Sequence, residues 1–163
     1  MTLSSGDLVT ADDWPGSAVV QLRRLSSQTL THDTVTAIQW TVQELDTNGF
    51  HSTSVNNSRI IPSIPGLYFC ALVAHFAANA IGDRRAYIGK NGTALPPVGR
   101  VINLANAAAV ATTQRVIECN GTTDYIEGFA FQSSGGNLSL VGDSDATNTF
   151  QSLMTVHRIA PLP

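Results

Sequence analysis

Charge is scarce in this sequence. Lysine and arginine number 9 and aspartate and glutamate 12, so that 13% of the 163 residues are charged while 43% are apolar. So few charges cannot cover the surface of an ordinary domain, and part of that surface is expected to be buried against something. A basic excess is also missing: the formal net charge is -3 and the sequence pI about 5.7, which leaves no electrostatic footprint for a nucleic-acid partner. The only adjacent basic pairs, Arg23 with Arg24 and Arg84 with Arg85, read as ordinary solvated or interface charges. Cysteine is nearly absent. Cys70 and Cys119 lie far apart in apolar runs, where buried free thiols are expected rather than a disulfide.

No segment approaches the length of a membrane span, so no membrane insertion is expected. The start, MTLSSGDLVTADDWPGS, has neither a basic opening nor an apolar core, and the expectation is a soluble chain made in the cytoplasm without a secretory signal. Residues 1–17 are polar and lack alternation. They read as an arm, with residues 18–163 as one domain, and Trp14 either anchors the arm to a partner or folds back on its own domain.

After residue 20 no helical stripe appears. Apolar runs broken by Gly, Asn, Asp and Pro predict an all-β chain with strands near 18–25, 35–45, 59–61, 67–76, 84–90, 112–119, 125–132, 138–141 and 152–159. That count suits a two-sheet antiparallel jelly-roll sandwich. In 35–45, Ile38, Trp40 and Val42 share one face of a half-buried strand. KNGT places Asn91 and Gly92 where a tight hairpin needs positive φ, SSGGN predicts a second turn, and 99–111 fits a helical turn, a strand or a loop.

The run IPSIPGLYFCALVAHF does not alternate. One parity carries Leu67, Phe69, Ala71, Val73 and His75, the other Tyr68, Cys70, Leu72, Ala74 and Phe76. Such a strand is covered on both faces. Residues 125–132 share the property to a lesser degree, with Phe129 and Phe131 on one face. No helix of this chain is available as the second cover, so copies of the chain are the expected one. The residues assigned to interface or core are Tyr68, Leu72, Phe76, Phe129 and Phe131, parity alone leaving the choice open.

The segment LDTNGFHSTSVNNSRIIPSIPGLYFCALVAHF, followed by RRAYIGKNGT, DYIEGFAFQSSGGNLSL and FQSLMTVHRI, resembles the tumour-necrosis-factor-like jelly rolls. These include the globular heads of complement subcomponents and, in particular, versions found in bacteriophage virion proteins. The resemblance covers about 22–159. Its most specific part is the turn of Asp46, Asn48, Gly49 and Phe50 joined to the strand start at Pro65, Gly66, Leu67 and Tyr68. One departure is the longer turn CNGTTDY before Tyr125, where related sequences have a shorter Gly-Asp. The resemblance implies a tight homotrimer with doubly apolar inner strands about its threefold axis.

Chemistry is hard to find. No Gly-x-Ser-x-Gly turn is present, and Cys70 and His75 fall on opposite faces of one strand, so no enzyme activity and no cofactor are expected. The four histidines lack zinc spacing. His75 is either a satisfied core histidine or one of three ligands at a threefold axis. GDSDATN offers Asp143, Asp145 and Asn148 as oxygen ligands for calcium, or a plain turn. The Asn-x-Ser/Thr sites at Asn56, Asn91, Asn120 and Asn137 read as turn chemistry.

The function expected is therefore a non-enzymatic bacteriophage virion structural protein: a trimeric capsid decoration or small surface appendage, assembled in the host cytoplasm and bound to the major capsid protein or another virion protein through the arm with Trp14. The alternative is a receptor-binding tail-fibre or tail-tip head for a host-surface glycan or protein. Its loops would be 46–57, with Asp46, Asn48 and His51, together with 92–99 and 142–149. A secreted tumour-necrosis-factor-like ligand is a lesser alternative, disfavoured by the missing signal and anchor.

Overall fold

The computed structural model describes residues 18–102, 107–142 and 151–162. Trp14, Asp143, Asp145 and Asn148 lie outside the described residues. Within them the regular structure is all β. The strands are β1 (Val19–Arg23), β2 (Gln28–Leu30), β3 (Thr36–Ala37), β4 (Val42–Asp46), β5 (Arg59–Ile60) and β6 (Gly66–Phe76), then β7 (Asp83–Lys90), β8 (Thr93–Ile102), β9 (Ala109–Cys119), β10 (Ile126–Gln132), β11 (Leu138–Leu140) and β12 (Leu153–Ala160).

They form two antiparallel sheets. Sheet A runs β2-β11-β6-β12-β1-β4, with β9 also on β6, and sheet B runs β3-β10-β7-β8, with β5 also on β10. The strand singled out in the sequence, β6, is bonded along both edges. β9 pairs with its whole length, from Gly66 opposite Cys119 to Phe76 opposite Ala109, while β12 takes the other edge from Leu67 to Val73. Beyond β12, β11 joins that edge at Phe76. The expected sandwich is therefore present, and its most apolar strand is central.

Strand parity decides which side of β6 is core. Tyr68, Cys70, Leu72, Ala74 and Phe76 point between the sheets and are 0–1% exposed. They meet Ile38, Trp40, Ile126, Ala130 and Met154 in one cluster. Gly128 of β10 makes this contact possible, since a Cβ there would lie 3.2 Å from Leu72 Cδ1, 3.2 Å from Met154 Sδ and 3.3 Å from Trp40 Cζ2. Sheet B thus presents bare backbone where Leu72 and Met154 of sheet A and Trp40 converge.

Three expectations change. Residues 35–45 are not one strand: the chain leaves sheet B after Ala37 and enters sheet A at Val42. Between them the Ile38 amide donates to the Gly128 carbonyl at 2.9 Å, the Trp40 amide to Asn57 at 2.9 Å and the Thr41 amide to Arg23 at 3.3 Å. The alternation records burial of Ile38 and Trp40 during a crossing. Residues 92–99, expected as a binding loop, are the second residue of the Asn91–Gly92 turn and most of β8. Its two prolines are accommodated because β8 is an edge strand and bulges there, Ala86 pairing with Gly99 and Ile88 with Leu95. Arg24 and Arg84 are not solvated: they are 4% and 0% exposed. The Asn91–Gly92 hairpin is as expected, with φ of 54° and 80°.

Leu72→Ala should lower stability by about 2–5 kcal/mol, with an unchanged slope in urea unfolding. Val55→Ala, at a position 66% exposed, should change it by less than about 0.5 kcal/mol. Equal effects of the two substitutions would contradict the assignment of the core face.

Candidate functional site

With the even residues of β6 in the core, its odd residues face outward. Leu67, Phe69, Ala71 and Val73 are half-buried. Register extends the row across the sheet. On β9, Val116 stands opposite Phe69, Gln114 opposite Ala71, Thr112 opposite Val73 and Val110 opposite His75. On the other side His157 stands opposite Phe69, Thr155 opposite Ala71 and Leu153 opposite Val73. Val19, Gln21 and Arg23 of β1 continue these three rows, and Leu45 of β4 lies beside Gln21.

The face mixes apolar with polar residues, and its most exposed apolar side chains lie on the outer strands β9 and β4. Val116 is 48% exposed, Leu45 44% and Val110 41%. Their strands alternate with period two, so Val110, Thr112, Gln114 and Val116 share one side of β9 by sequence alone. Ala71, shorter than Phe69 and Val73 beside it, lies in a depression of about 360 Å³ that is also lined by Thr112 and Gln114. What the face offers is apolar area with a dent able to seat a side chain.

The residues named from the sequence are dispersed. Tyr68, Leu72 and Phe76 belong to the core. Tyr68 packs edge-on against Phe50, with ring centres 6.3 Å apart, and donates its hydroxyl to the Ile64 carbonyl at 2.6 Å. Phe129 and Phe131 lie on sheet B, on its side away from the core, and are 6% and 8% exposed. Their own chain covers them: Arg85 sits 4.6 Å over the Phe131 ring, and Phe129 lies against Gly89, where an added Cβ would be 2.6 Å from its ring. His75 is 4% exposed. Among the described residues no group of three or more His, Cys, Asp or Glu is arranged to hold a metal.

Asp46, Asn48 and His51 do come together, in the turn after β4, but their polar groups are engaged within it. Asp46 Oδ1 accepts from the Phe50 amide at 3.0 Å and the Asn48 amide at 3.3 Å, and Oδ2 from the His51 amide at 2.9 Å. Asn48 Oδ1 accepts from the Thr47 hydroxyl at 2.7 Å. His51 Nε2 lies 3.2 Å from the Asn57 carbonyl and Nδ1 3.3 Å from Gln43 Oε1, and burial pushes its pKa down. The aspartate holds the turn that leads back into the sandwich.

Both thiols are buried and free. Burial pushes Cys119 up to about 12 and Cys70 higher still, so neither supplies a thiolate nucleophile near neutral pH. Burial likewise raises Tyr68 to about 12. The carboxylates behave oppositely. Hydrogen bonds from Arg100 and then Arg85 hold Asp83 below its usual range. Burial alone would raise Asp124, but Lys90, Asn91 and the Asn120 amide together bring it below its usual value.

No family model matches the chain, and no curated protein matches it. Solved structures do. The globular domain of zebrafish complement 1qA is similar with a TM-score of 0.60 at 11% identity, over 89% of this chain and 99% of that one. Murine APRIL at pH 8.0 gives 0.62 at 12% identity over 88% and 99%, and Eiger TNF from S. frugiperda 0.59 at 7% over 90% and 95%. The fold is a TNF/C1q-like jelly roll. In this jelly roll the outward face of sheet A exposes valines of β9 and Leu45 of β4, and that of sheet B covers Phe129 and Phe131 and carries arginine.

The jelly roll should lose stability at both ends of the pH scale. Tyr68 and Cys119 remain neutral to higher pH when folded. Their contribution is fully present below their unfolded values, about 10 and 8.5, and is lost as pH rises through the folded values of about 12. Asp83 and Asp124 contribute above their unfolded value, about 4, and lose that contribution as pH falls through their lower folded values. Thermal unfolding across pH should show a plateau from about pH 5 to 8 with a fall on either side. Tyr68→Phe should lower Tm at neutral pH yet flatten the alkaline limb; an alkaline limb as steep as in the parent would rule out this role for Tyr68.

Proposed function

We propose that this chain is a non-enzymatic structural head that works as a homotrimer, two sister copies covering the outward face of sheet A. The observation that carries the proposal is the pair of rows that place Val116 beside Phe69 and Leu153 beside Val73 on the outward face of β9, β6 and β12. Apolar surface there stabilises an assembly by roughly 25 cal/mol per Å² buried. The trimeric order comes from the family resemblance. The interface residues proposed are Leu67, Phe69, Ala71 and Val73 with their β9 and β12 neighbours, in place of Tyr68, Leu72 and Phe76, which the core occupies.

The proposed setting is the surface of a bacteriophage particle, as a capsid decoration or small appendage bound to the major capsid protein, with Trp14 in the docking arm. Support for that setting comes from the sequence segments between Leu45 and Ile159 that resemble virion jelly rolls. A ligand-binding head, whether for a host surface or as a tumour-necrosis-factor-like ligand, is equally compatible with the fold. The observation favouring a binding role is a pair of arginines on sheet B, Arg85 half-buried and Arg100 exposed.

Light scattering should give about three times the chain mass of 17.3 kDa. The double substitution Phe69→Asp with Val116→Asp should give a folded monomer by circular dichroism. A parent monomer, or a double variant that stays trimeric, would overturn the interface. Particles lacking the protein should take up the trimer; failure to bind them, with retention on host cells, would move the function to receptor recognition.

A further inference from the structure

Among the described residues, arginine concentrates at one corner of sheet B. Arg85 and Arg100 pair with a single carboxylate, Asp83, although the whole chain is acidic, and Arg84 lies between Asp83 and Arg85 in sequence. Arg84 is fully buried and bonded to backbone, its Nη1 donating to the carbonyls of Asp83 at 2.9 Å and Ile81 at 3.0 Å and its Nη2 to that of Asn79 at 3.2 Å. Arg85 and Arg100 stand directly opposite one another on β7 and β8. Like charges in that position repel, and Asp83 holds them together. Its Oδ2 accepts from Arg85 Nη2 at 2.5 Å, Arg85 Nε at 2.9 Å and Arg100 Nε at 3.0 Å, and its Oδ1 from Arg100 Nη2 at 3.2 Å.

One carboxylate therefore neutralises half of an arginine pair. Each guanidinium has five N–H donors, and Asp83 occupies only part of each set. The side chains are 35% and 53% exposed. Arg85 is also fixed from beneath by the Phe131 ring at 4.6 Å. The donors are positioned before any ligand arrives, which removes much of the ordering cost of binding.

We infer that Arg85 and Arg100, set by Asp83, form a clamp for the carboxylate or sulfate group of an acidic saccharide. A second anion on the open side would complete an alternating ring of two guanidiniums and two anions, in the forked geometry that arginine favours. An acidic peptide fits less well. It would dock most readily by adding a strand to the β8 edge, but Pro96 and Pro97 withhold amide donors there, and Gly99 packs so closely on β9 that a Cβ would lie 1.9 Å from the Thr112 carbonyl oxygen. Half-exposed Tyr87 beside Arg85 offers a ring edge and a hydroxyl instead, partners suited to a sugar. The inference deepens the binding-head reading and rests on it; the trimer is tested separately by mass.

The test is titration of the intact protein with oligogalacturonate, a sulfated dextran fragment, neutral maltohexaose and hexaglutamate, followed by calorimetry and by the arginine Nε–H resonances. Oligogalacturonate or the sulfated fragment should bind, whichever is preferred naming the oxyanion, with affinity falling as salt rises. Arg100→Gln, at a half-exposed position that leaves the core intact, should weaken binding about tenfold. Arg100→Lys should weaken it less, while Arg59→Gln, a half-exposed arginine elsewhere on the chain, should leave it unchanged. Binding that is absent for both acidic saccharides, or insensitive to Arg100→Gln, would overturn the clamp. Hexaglutamate binding as tightly as either saccharide would overturn its assignment to sugars. Loss of saccharide binding in Arg100→Gln with an unchanged trimer mass would confirm the clamp independently of the assembly.

Discussion

Everything in this molecule is referred to one strand that cannot shift. β6 is hydrogen-bonded on both edges, so a slip by one residue would disturb the β9 and β12 ladders together and carry every side chain to the opposite face. Tyr68, Leu72 and Phe76 would then leave the core, and Phe69 and Val73 would enter it. The two parities differ in size as well as polarity. Phe69, Ala71 and Val73 could not fill the space against Trp40 and Met154, whereas Leu72 fits where Gly128 has no side chain. Register is thus fixed by shape where hydrophobicity alone, nearly equal on the two faces, would leave it undetermined.

The ends of the sandwich are closed by a different device. Arg84 and Arg24 are buried and bonded to carbonyl oxygens, Arg24 Nε to Ser26 at 2.9 Å and its Nη1 to the Gln28 side chain at 3.1 Å and the Gln39 carbonyl. Loops that turn between sheets leave carbonyls without ladder partners, and an unsatisfied buried carbonyl is costly. A guanidinium can satisfy several at once while its apolar stem packs below. Where the turn runs beside an amide-rich stretch, the complementary group appears: Asp46 collects three amides after β4. In both cases a charge organises backbone.

These roles explain what the sequence disclosed and what it hid. The all-β class, the hairpin at Asn91 and Gly92, and the doubly apolar character of β6 all follow from local chemistry. The facing of β6 did not, because it depends on which parity meets Gly128, sixty residues away. The crossing at Ile38 to Trp40 imitated a strand, since burial alternates there although the partners do not. β8 was obscured by Pro96 and Pro97, which signal a break unless the strand is known to lie on an edge. The pairing of Arg85 with Arg100 is a long-range register, invisible in a chain where Arg84 with Arg85 looks like one solvated doublet. Phe129 and Phe131 looked like open apolar surface because Arg85 and the gap at Gly89, which cover them, lie on another strand.

The two sheets consequently differ in what they leave available. Sheet B covers Phe129 and Phe131 with its own groups, the rings lying against glycine or under arginine, and its outer exposure includes the Arg85 and Arg100 guanidiniums. Sheet A leaves its outer face incomplete, with valines on β9 and leucine on β4 facing water. An assembly that covers sheet A with sister copies leaves sheet B outward on every copy. Three arginine clamps would then be presented together on one rigid body. A ligand too weak to be held by one clamp can be held by several, because the second contact forms at the high effective concentration set by the first. In such an assembly a chain short of polar cover would bury the outward face of sheet A and keep Arg85 and Arg100 outside, where repetition would multiply their effect.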